Sequence, residues 1–229
     1  MLDTGSMPGC CGPSPANSDP DRYRSVFGAA FSRSVARSYE RHGLSGPARR
    51  IVRFLEGIPG GLAGATVLEV GGGAGEIQLE LLARGAARTT NLELSDGYEE
   101  DAARLIARAG VAGRVDRRLG VDLADAPDDV EPADVVVLHR VVCCYPDYER
   151  LLGAAAGHAR RAIVFSHPPR HPFSRAAIGG FNLLARLTGK SFRAFVHPPE
   201  AMAAVVRAQG LDPVTVHRGL AWHVVGALR

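Results

Sequence analysis

Ala65-Thr66-Val67-Leu68-Glu69-Val70-Gly71-Gly72-Gly73-Ala74-Gly75 runs from an apolar segment through one acidic residue into a cluster of glycines. Ala65 to Val70 is predicted to be a strand buried on both faces of a parallel sheet, because its apolar run is nearly continuous rather than alternating. The glycines follow where the chain must turn sharply and where a ligand must reach the main chain, and both demands are met by removing Cβ. Ile77, Leu79, Leu81 and Leu82 come next among good helix formers, so a helix opens just past the turn.

The glycine spacing separates cofactor classes. A dinucleotide fingerprint G-x-G-x-x-G begun at Gly71 needs a glycine at position 76, where this chain has Glu76. A carboxylate there would repel a pyrophosphate at the helix N-terminus. A P-loop is also excluded, since no Gly-Lys-Ser/Thr follows and Lys190 is the only lysine in the chain. A cofactor with an amino-acid end, a ribose and no phosphate remains, and S-adenosylmethionine (SAM) fits that description. A second strand, Thr89 to Leu94, carries Glu93 at its carboxyl end, about 20 residues beyond the glycines, where an acid can accept from both ribose hydroxyls. A third, Val115 to Leu123, ends at Val121-Asp122. Asp122 suits the adenine amino group or, equally well, a helix cap or loop acid.

Glu69-x-Gly71-x-Gly73-x-Gly75, Glu93, Asp122 and a fourth strand Ala133 to Leu138, in that order, resemble the class I SAM-dependent methyltransferases over residues 49–229. The resemblance implies an α/β, Rossmann-like sheet of seven strands in the order 3-2-1-4-5-7-6, the last antiparallel, with helices on both faces. It also implies SAM as cofactor, S-adenosylhomocysteine as product, and a cofactor site drawn from Tyr39, Glu69, Gly71, Gly73, Gly75, Glu93, Leu94, Val121, Asp122 and His139. Within that group His139-Arg140-Val141-Val142-Cys143-Cys144-Tyr145-Pro146 and Phe192 to His197 are similar to magnesium-protoporphyrin O-methyltransferases. This chain departs from them with Arg140 near the expected acid and Cys144 where a histidine would stand, so the resemblance carries methyl transfer and not the porphyrin.

The rest of the chain is read around that centre. Residues 1–20, rich in Gly, Pro, Ser and Asn, are expected to form a flexible arm, and 21–229 a single domain. Within it 21–56 is a helical cover, with one helix over Tyr23 to Arg41. Arg161 to Ser166 is the fifth strand, ending at His167. Residues 168–199 form a substrate-covering insertion with a helix over Ala176 to Leu187. A helix from Glu200 to Gln209 is stopped by Gly210, and Val214 to His217 pairs with Ala221 to Leu228 around Arg218-Gly219.

Composition bounds the function. The chain has 229 residues, 46% hydrophobic, and a net charge of +3, which suits one α/β domain. Eight arginines between Arg22 and Arg53 read as a solvated helix face, with no interleaved aromatic residues of the kind that bind nucleic acid. No apolar run approaches the roughly 20 residues of a membrane span and no leader pattern is present, so a cytoplasmic protein with neither membrane nor nucleic-acid partners is expected. Cys10-Cys11 and Cys143-Cys144 are adjacent pairs, unsuited to disulfides and without zinc spacing. They are read as inert thiols, or else as a soft-metal or metalloid site at the ligand edge.

Methyl transfer to a neutral hydroxyl requires a base. His139 and His167, at the ends of neighbouring strands, are the candidates, with Tyr145 and Tyr39 to orient an acceptor and Arg140, Arg170 and Arg193 to hold a carboxylate. The function expected is a SAM-dependent methyltransferase acting on a small molecule at oxygen. The alternatives are a thiol-assisted metalloid or metal-complex methyltransferase and a SAM-binding scaffold without chemistry.

Overall fold

Thr66–Val70 (β1) lies at the centre of a seven-stranded sheet in the computed structural model, which describes residues 20–229. Arg88–Glu93 (β2) and Val115–Leu119 (β3) lie on one side of it. Ala133–Leu138 (β4), Ala159–His167 (β5), His223–Leu228 (β7) and Asp212–Arg218 (β6) lie on the other. The order is β3-β2-β1-β4-β5-β7-β6, and only β7 runs antiparallel to its neighbours. The expected topology therefore holds. The central strands are the Val/Ile-rich ones; β3, at an edge, carries Asp116, Arg117 and Arg118 instead, as its one-sided environment permits.

Alternation along the strands divides the apolar residues between two cores. Val67, Val135 and Val137 face one side, where they pack with Ile51 and Leu55 of helix Gly46–Glu56 (α3), Ile77 and Leu81 of Glu76–Ala83 (α4) and Leu105 of Glu99–Ala109 (α5). Leu68, Val136 and Leu138 face the other, against Leu151 and Leu152 of Tyr148–Gly157 (α6) and Met202 and Val206 of Pro199–Ala208 (α8). Period-two alternation inside a continuously apolar run is the signature of a strand covered on both faces. Each fully buried leucine here, such as Leu55 or Leu152, contributes about 1.5–3 kcal/mol. Local signals agree with these placements: Ser45 caps α3, its Oγ accepting from Ala48 N, and Asp147 caps α6, accepting from Arg150 N at 3.1 Å.

Three expectations need correction. The single helix over Tyr23 to Arg41 is two, Pro20–Arg24 (α1) and Ala29–His42 (α2). The break comes from Gly28, extended at φ −80° and ψ −178°, which packs so closely on Gly97 that a Cβ at position 97 would lie 2.7 Å from Gly28 Cα. Ser95 Oγ donates to Phe27 O at 2.9 Å across the same joint, fastening the cover to the loop after β2. The third strand ends at Leu119, so Val121 and Asp122 stand on a turn beyond it. The insertion helix starts earlier, as Pro172–Leu187 (α7), where His171 caps it by accepting from Ser174 N. The predicted arm and Cys10-Cys11 lie outside the described residues, apart from Pro20.

Candidate active site

At the carboxyl edge of β1, β2 and β4 the sheet opens into a cavity of about 1040 Å³, counting its open mouth. Its floor is the glycine loop. Gly71 and Gly73 take φ of 61° and 55°, left-handed values that L side chains rarely adopt. Gly72 is held by space alone: a Cβ there would lie 2.7 Å from Glu69 Cδ and 2.8 Å from Asn91 Cγ, and closer still to Asn91 Nδ2. Gly75, at φ 85°, is the N-cap of α4 and sets the turn; it is not among the residues lining the cavity.

Glu93 organises the loop before any ligand arrives. Its Oε2 accepts from Gly73 N and its Oε1 from Ser95 N, each at 2.9 Å. Burial raises its pKa, and these backbone donors and Arg117 act against that rise. Arg117, whose side chain is 9% exposed, donates from Nη2 to Gly73 O and also pairs with Glu99. Glu69 is fully enclosed; burial first, then the nearby Glu76, push its pKa well above the carboxylate range. Glu76 lines the cavity with a buried Oε2 that has no hydrogen-bond partner, and its pKa is raised by burial. Asp122 Oδ2 accepts from Tyr145 Oη at 3.0 Å and Oδ1 from Ala124 N at 3.0 Å. The loop-acid role is thus present, and the carboxylate still lines the cavity.

The far wall holds His139. Its Nδ1 lies 2.9 Å from Ser166 Oγ, and the same hydroxyl accepts from Arg140 N. Burial, with a smaller contribution from Arg140, lowers the His139 pKa to about 3, so the imidazole is neutral near pH 7. Arg140 has φ 62°, the one non-glycine residue at positive φ among the described residues, and its guanidinium lies over the Trp222 ring at 5.2 Å. A non-glycine residue in that region stores strain, a common feature of ligand sites. Cys144 also reaches the cavity; its Sγ is 3.8 Å from Cys143 Sγ.

Of the residues read from sequence, Glu69, Gly71, Gly73, Glu93, Leu94, Val121, Asp122, His139 and Tyr145 line this one cavity. Gly75, Arg170 and Arg193 are not in its lining, and neither are Tyr39 and His167. Tyr39 Oη donates to Glu80 Oε1 at 3.0 Å, away from the lining; it lies one turn past Val35, which with Phe31 is what α2 brings to the cavity. His167 is buried, with Nδ1 on Pro168 O at 2.9 Å and its ring against His223, because alternation along β5 puts it on the same face as Phe165, toward α6 and α8. The cover contributes Tyr23, Phe27, Phe31 and Val35, and the turn after β2 contributes Tyr98. Their aromatic character was visible in the sequence, but the helix break that aims them was not.

The cavity's charge tests the cofactor. Glu69, Glu76, Glu93 and Asp122 face a single lining cation, Arg140. Such a wall disfavours a pyrophosphate and suits a ligand that carries positive charge.

Residues 68–162 match the methyltransferase domain family. No curated protein matches the chain in sequence. Among solved structures, an O-methyltransferase family protein from Burkholderia thailandensis is similar at 21% identity and a TM-score of 0.67, covering 87% of this chain and 58% of its own. Magnesium protoporphyrin IX methyltransferase from Synechocystis PCC 6803 with bound SAH is similar at 18% identity and 0.62, covering 91% and 93%. An O-methyltransferase family 2 protein from Planctomyces limnophilus in complex with apigenin matches at 17% and 0.65, covering 87% and 61%. The chain thus spans less than two thirds of the length of the first and third. The strand order and the matched segment thus make this chain similar in fold to the solved methyltransferases, and residues 68–162 similar in sequence to a methyltransferase domain.

Proposed function

We propose that this protein methylates an oxygen of a small, largely apolar acceptor. The observation that carries the reading is a neutral imidazole, His139, in the wall of a cavity whose opposite side is aromatic, with Tyr23, Phe27, Phe31 and Tyr98. SAM, the cofactor proposed, would supply an activated methyl group when bound. What remains for the chain is to exclude water, align the acceptor and take up a proton, and alignment alone can supply several kcal/mol. In the tautomer whose Nδ1–H donates to Ser166 Oγ, His139 presents a bare Nε2, and burial keeps the ring neutral near pH 7. Tyr145 is committed to Asp122, which makes it a positioning residue for the adenine end rather than a base. Glu69, Gly71, Gly73, Glu93, Leu94, Val121 and Asp122 are the proposed cofactor residues, with Gly75 shaping the turn.

Support from relatives is of the same kind: the Planctomyces limnophilus protein is complexed with apigenin, a small aromatic hydroxyl compound, and both it and the Burkholderia thailandensis protein are O-methyltransferase family members. Against the thiol-assisted alternative, the hydrogen bond with Cys143 and then burial push the Cys144 thiol well up, leaving it protonated at neutral pH. Among the described residues no group of three His, Cys, Asp or Glu could hold a metal ion. No helix among them is long and apolar enough to cross a membrane, and the cytoplasm is the compartment proposed.

Calorimetry with SAM, SAH and NADH, followed by mass spectrometry of methyl transfer from labelled SAM to a panel of phenols, amines and thiols, tests the proposal. Heat with SAM and SAH, none with NADH, and label only on phenols is expected. Label confined to amines or thiols would refute the choice of oxygen.

A further inference from the structure

The insertion helix α7 wears its apolar side outward. Phe173, Ala177, Gly180, Leu184 and Leu187 recur at helical spacing along one stripe. Phe173 is 78% exposed, Leu184 61% and Leu187 75%, with Leu183 at 59% on the stripe's margin. The inner side is the thin one: Ser174 and Ala185 are buried, and Asn182 bonds the following strap twice, Nδ2 to Ala194 O and Oδ1 from Ala194 N, each at 2.8 Å. The polar anchor fixes the helix with its apolar stripe facing solvent. Contiguous exposed patches of this kind mark interaction surfaces rather than ordinary surface variation.

The charge around the stripe selects the occupant. Between Glu149 and Glu200 the chain has no aspartate or glutamate. Arg170, Arg175, Arg186 and Lys190 are exposed around α7, and among the described residues none forms a salt bridge. A second copy of the chain packed through this face about a twofold axis would set these cations against their own duplicates with no local acid to offset them. An apolar stripe with phenylalanine and leucine, edged by arginine and lysine, is instead the composition of a helix that lies in a membrane interface, where long basic side chains reach the headgroups.

We infer that α7 seats this protein on an anionic lipid surface, with Phe173, Leu184 and Leu187 in the acyl boundary and Arg186 and Lys190 on lipid phosphates. An aromatic series leads inward from that face: Phe181 packs on Phe192 at 6.0 Å, Phe192 on Phe27 at 5.2 Å and Phe27 on Phe31 at 5.6 Å, the last two lining the cavity. The strap that anchors α7 is itself tied to the cavity wall, Phe195 N donating to Cys143 O at 2.7 Å. The docked face thus adjoins the cover of the methyl-transfer site, and an acceptor dissolved in the bilayer is the class it would deliver. That last step rests on the proposed function; the docking does not, because it is read without turnover.

Sedimentation with lipid vesicles is the test. Wild type should pellet with phosphatidylcholine vesicles containing phosphatidylglycerol, less with phosphatidylcholine alone, and less again as salt rises. Phe173→Ser with Leu184→Ser and Leu187→Ser should lower the partition coefficient about tenfold or more, with SAH binding unchanged as proof of folding. Should that variant misfold, Arg186→Gln with Lys190→Gln decides, since it must lose the preference for the anionic vesicles. Wild type left in the supernatant, substitutions that change nothing, or a wild-type dimer that the triple variant turns into a monomer would each overturn the inference.

Discussion

Gly72→Ala probes the one glycine of the loop whose need is purely steric. Its φ is not among the positive values, so alanine meets no backbone strain, and the effect comes from the added methyl alone. That methyl would lie 2.7 Å from Glu69 Cδ and 2.8 Å from Asn91 Cγ, inside the 3.0 Å that real Cβ contacts keep. Both neighbours are buried, Asn91 at 0% and Glu69 at 2% exposure, and they already face each other at 3.4 Å, so neither can swing out to water. Overpacking costs about 1–3 kcal/mol, and displacing a buried carboxylate or amide from its partner costs about 1–3 more. Taking the lower parts of both ranges, a loss of about 2–3 kcal/mol corresponds to a fall in Tm of roughly 4–12 °C for a chain of this size. Differential scanning calorimetry reads that number. The same displacement moves Glu69 out of the cavity wall, so calorimetric affinity for SAH should fall about tenfold or more. Gly110→Ala is the control: its φ of 66° makes alanine strained, but nothing lies within 4 Å of the added Cβ, so stability should drop while SAH binding stays. A Gly72→Ala protein with wild-type Tm and wild-type SAH affinity would refute the steric argument.

Glu93→Ala should cost about 1.5–3 kcal/mol of cofactor binding, about 10- to 100-fold by titration calorimetry, and lower Tm as well, because Gly73 N and Ser95 N lose their acceptor. His139→Gln should leave SAM affinity within a few fold and reduce turnover about 10²–10⁴, the loss shrinking at high pH for an ionisable hydroxyl; parallel loss of binding would assign His139 to the cofactor instead. The His139 pKa is lowered to about 3 in the folded chain, so the unfolded chain binds its proton first as pH falls. Its contribution to stability is complete above about pH 6.5 and is lost below it, and urea unfolding of His139→Gln should fall less between pH 7 and 5 than wild type. Glu69 has the opposite sign: a raised carboxyl pKa means the folded chain holds the proton better, and the ionised group costs stability above the unfolded value of about 4.3. Glu69→Gln should therefore raise the Tm of the ligand-free protein at pH 7, with the gain vanishing toward pH 4, while weakening SAM; a lower Tm at pH 7 would count against it.

The features legible in the sequence were those that the backbone fixes locally. A continuous apolar run can be covered on both faces only in a parallel sheet, and glycines at Gly71 and Gly73 answer to left-handed φ, so β1, β4 and the loop were readable one residue at a time. Glu93 was readable because βα geometry places a strand end next to the preceding glycine turn, and its bond to Gly73 N is that geometry realised. Residues whose role depends on a distant partner were not. Gly72 matters through Asn91, Arg117 through Gly73 O, Ser166 through His139 and Arg140, and Gly28 through Gly97, with separations from 19 to 69 positions along the chain. Tyr39 and His167 show the converse. Each sits at a plausible end of the right element, and a turn of helix or the facing of one strand residue turns it away from the cavity. Periodicity assigns a residue to a face, but the face becomes a wall only when another element closes on it. In this chain that element is the broken cover α1–α2, and its direction is set by a contact between two glycines that no local pattern encodes.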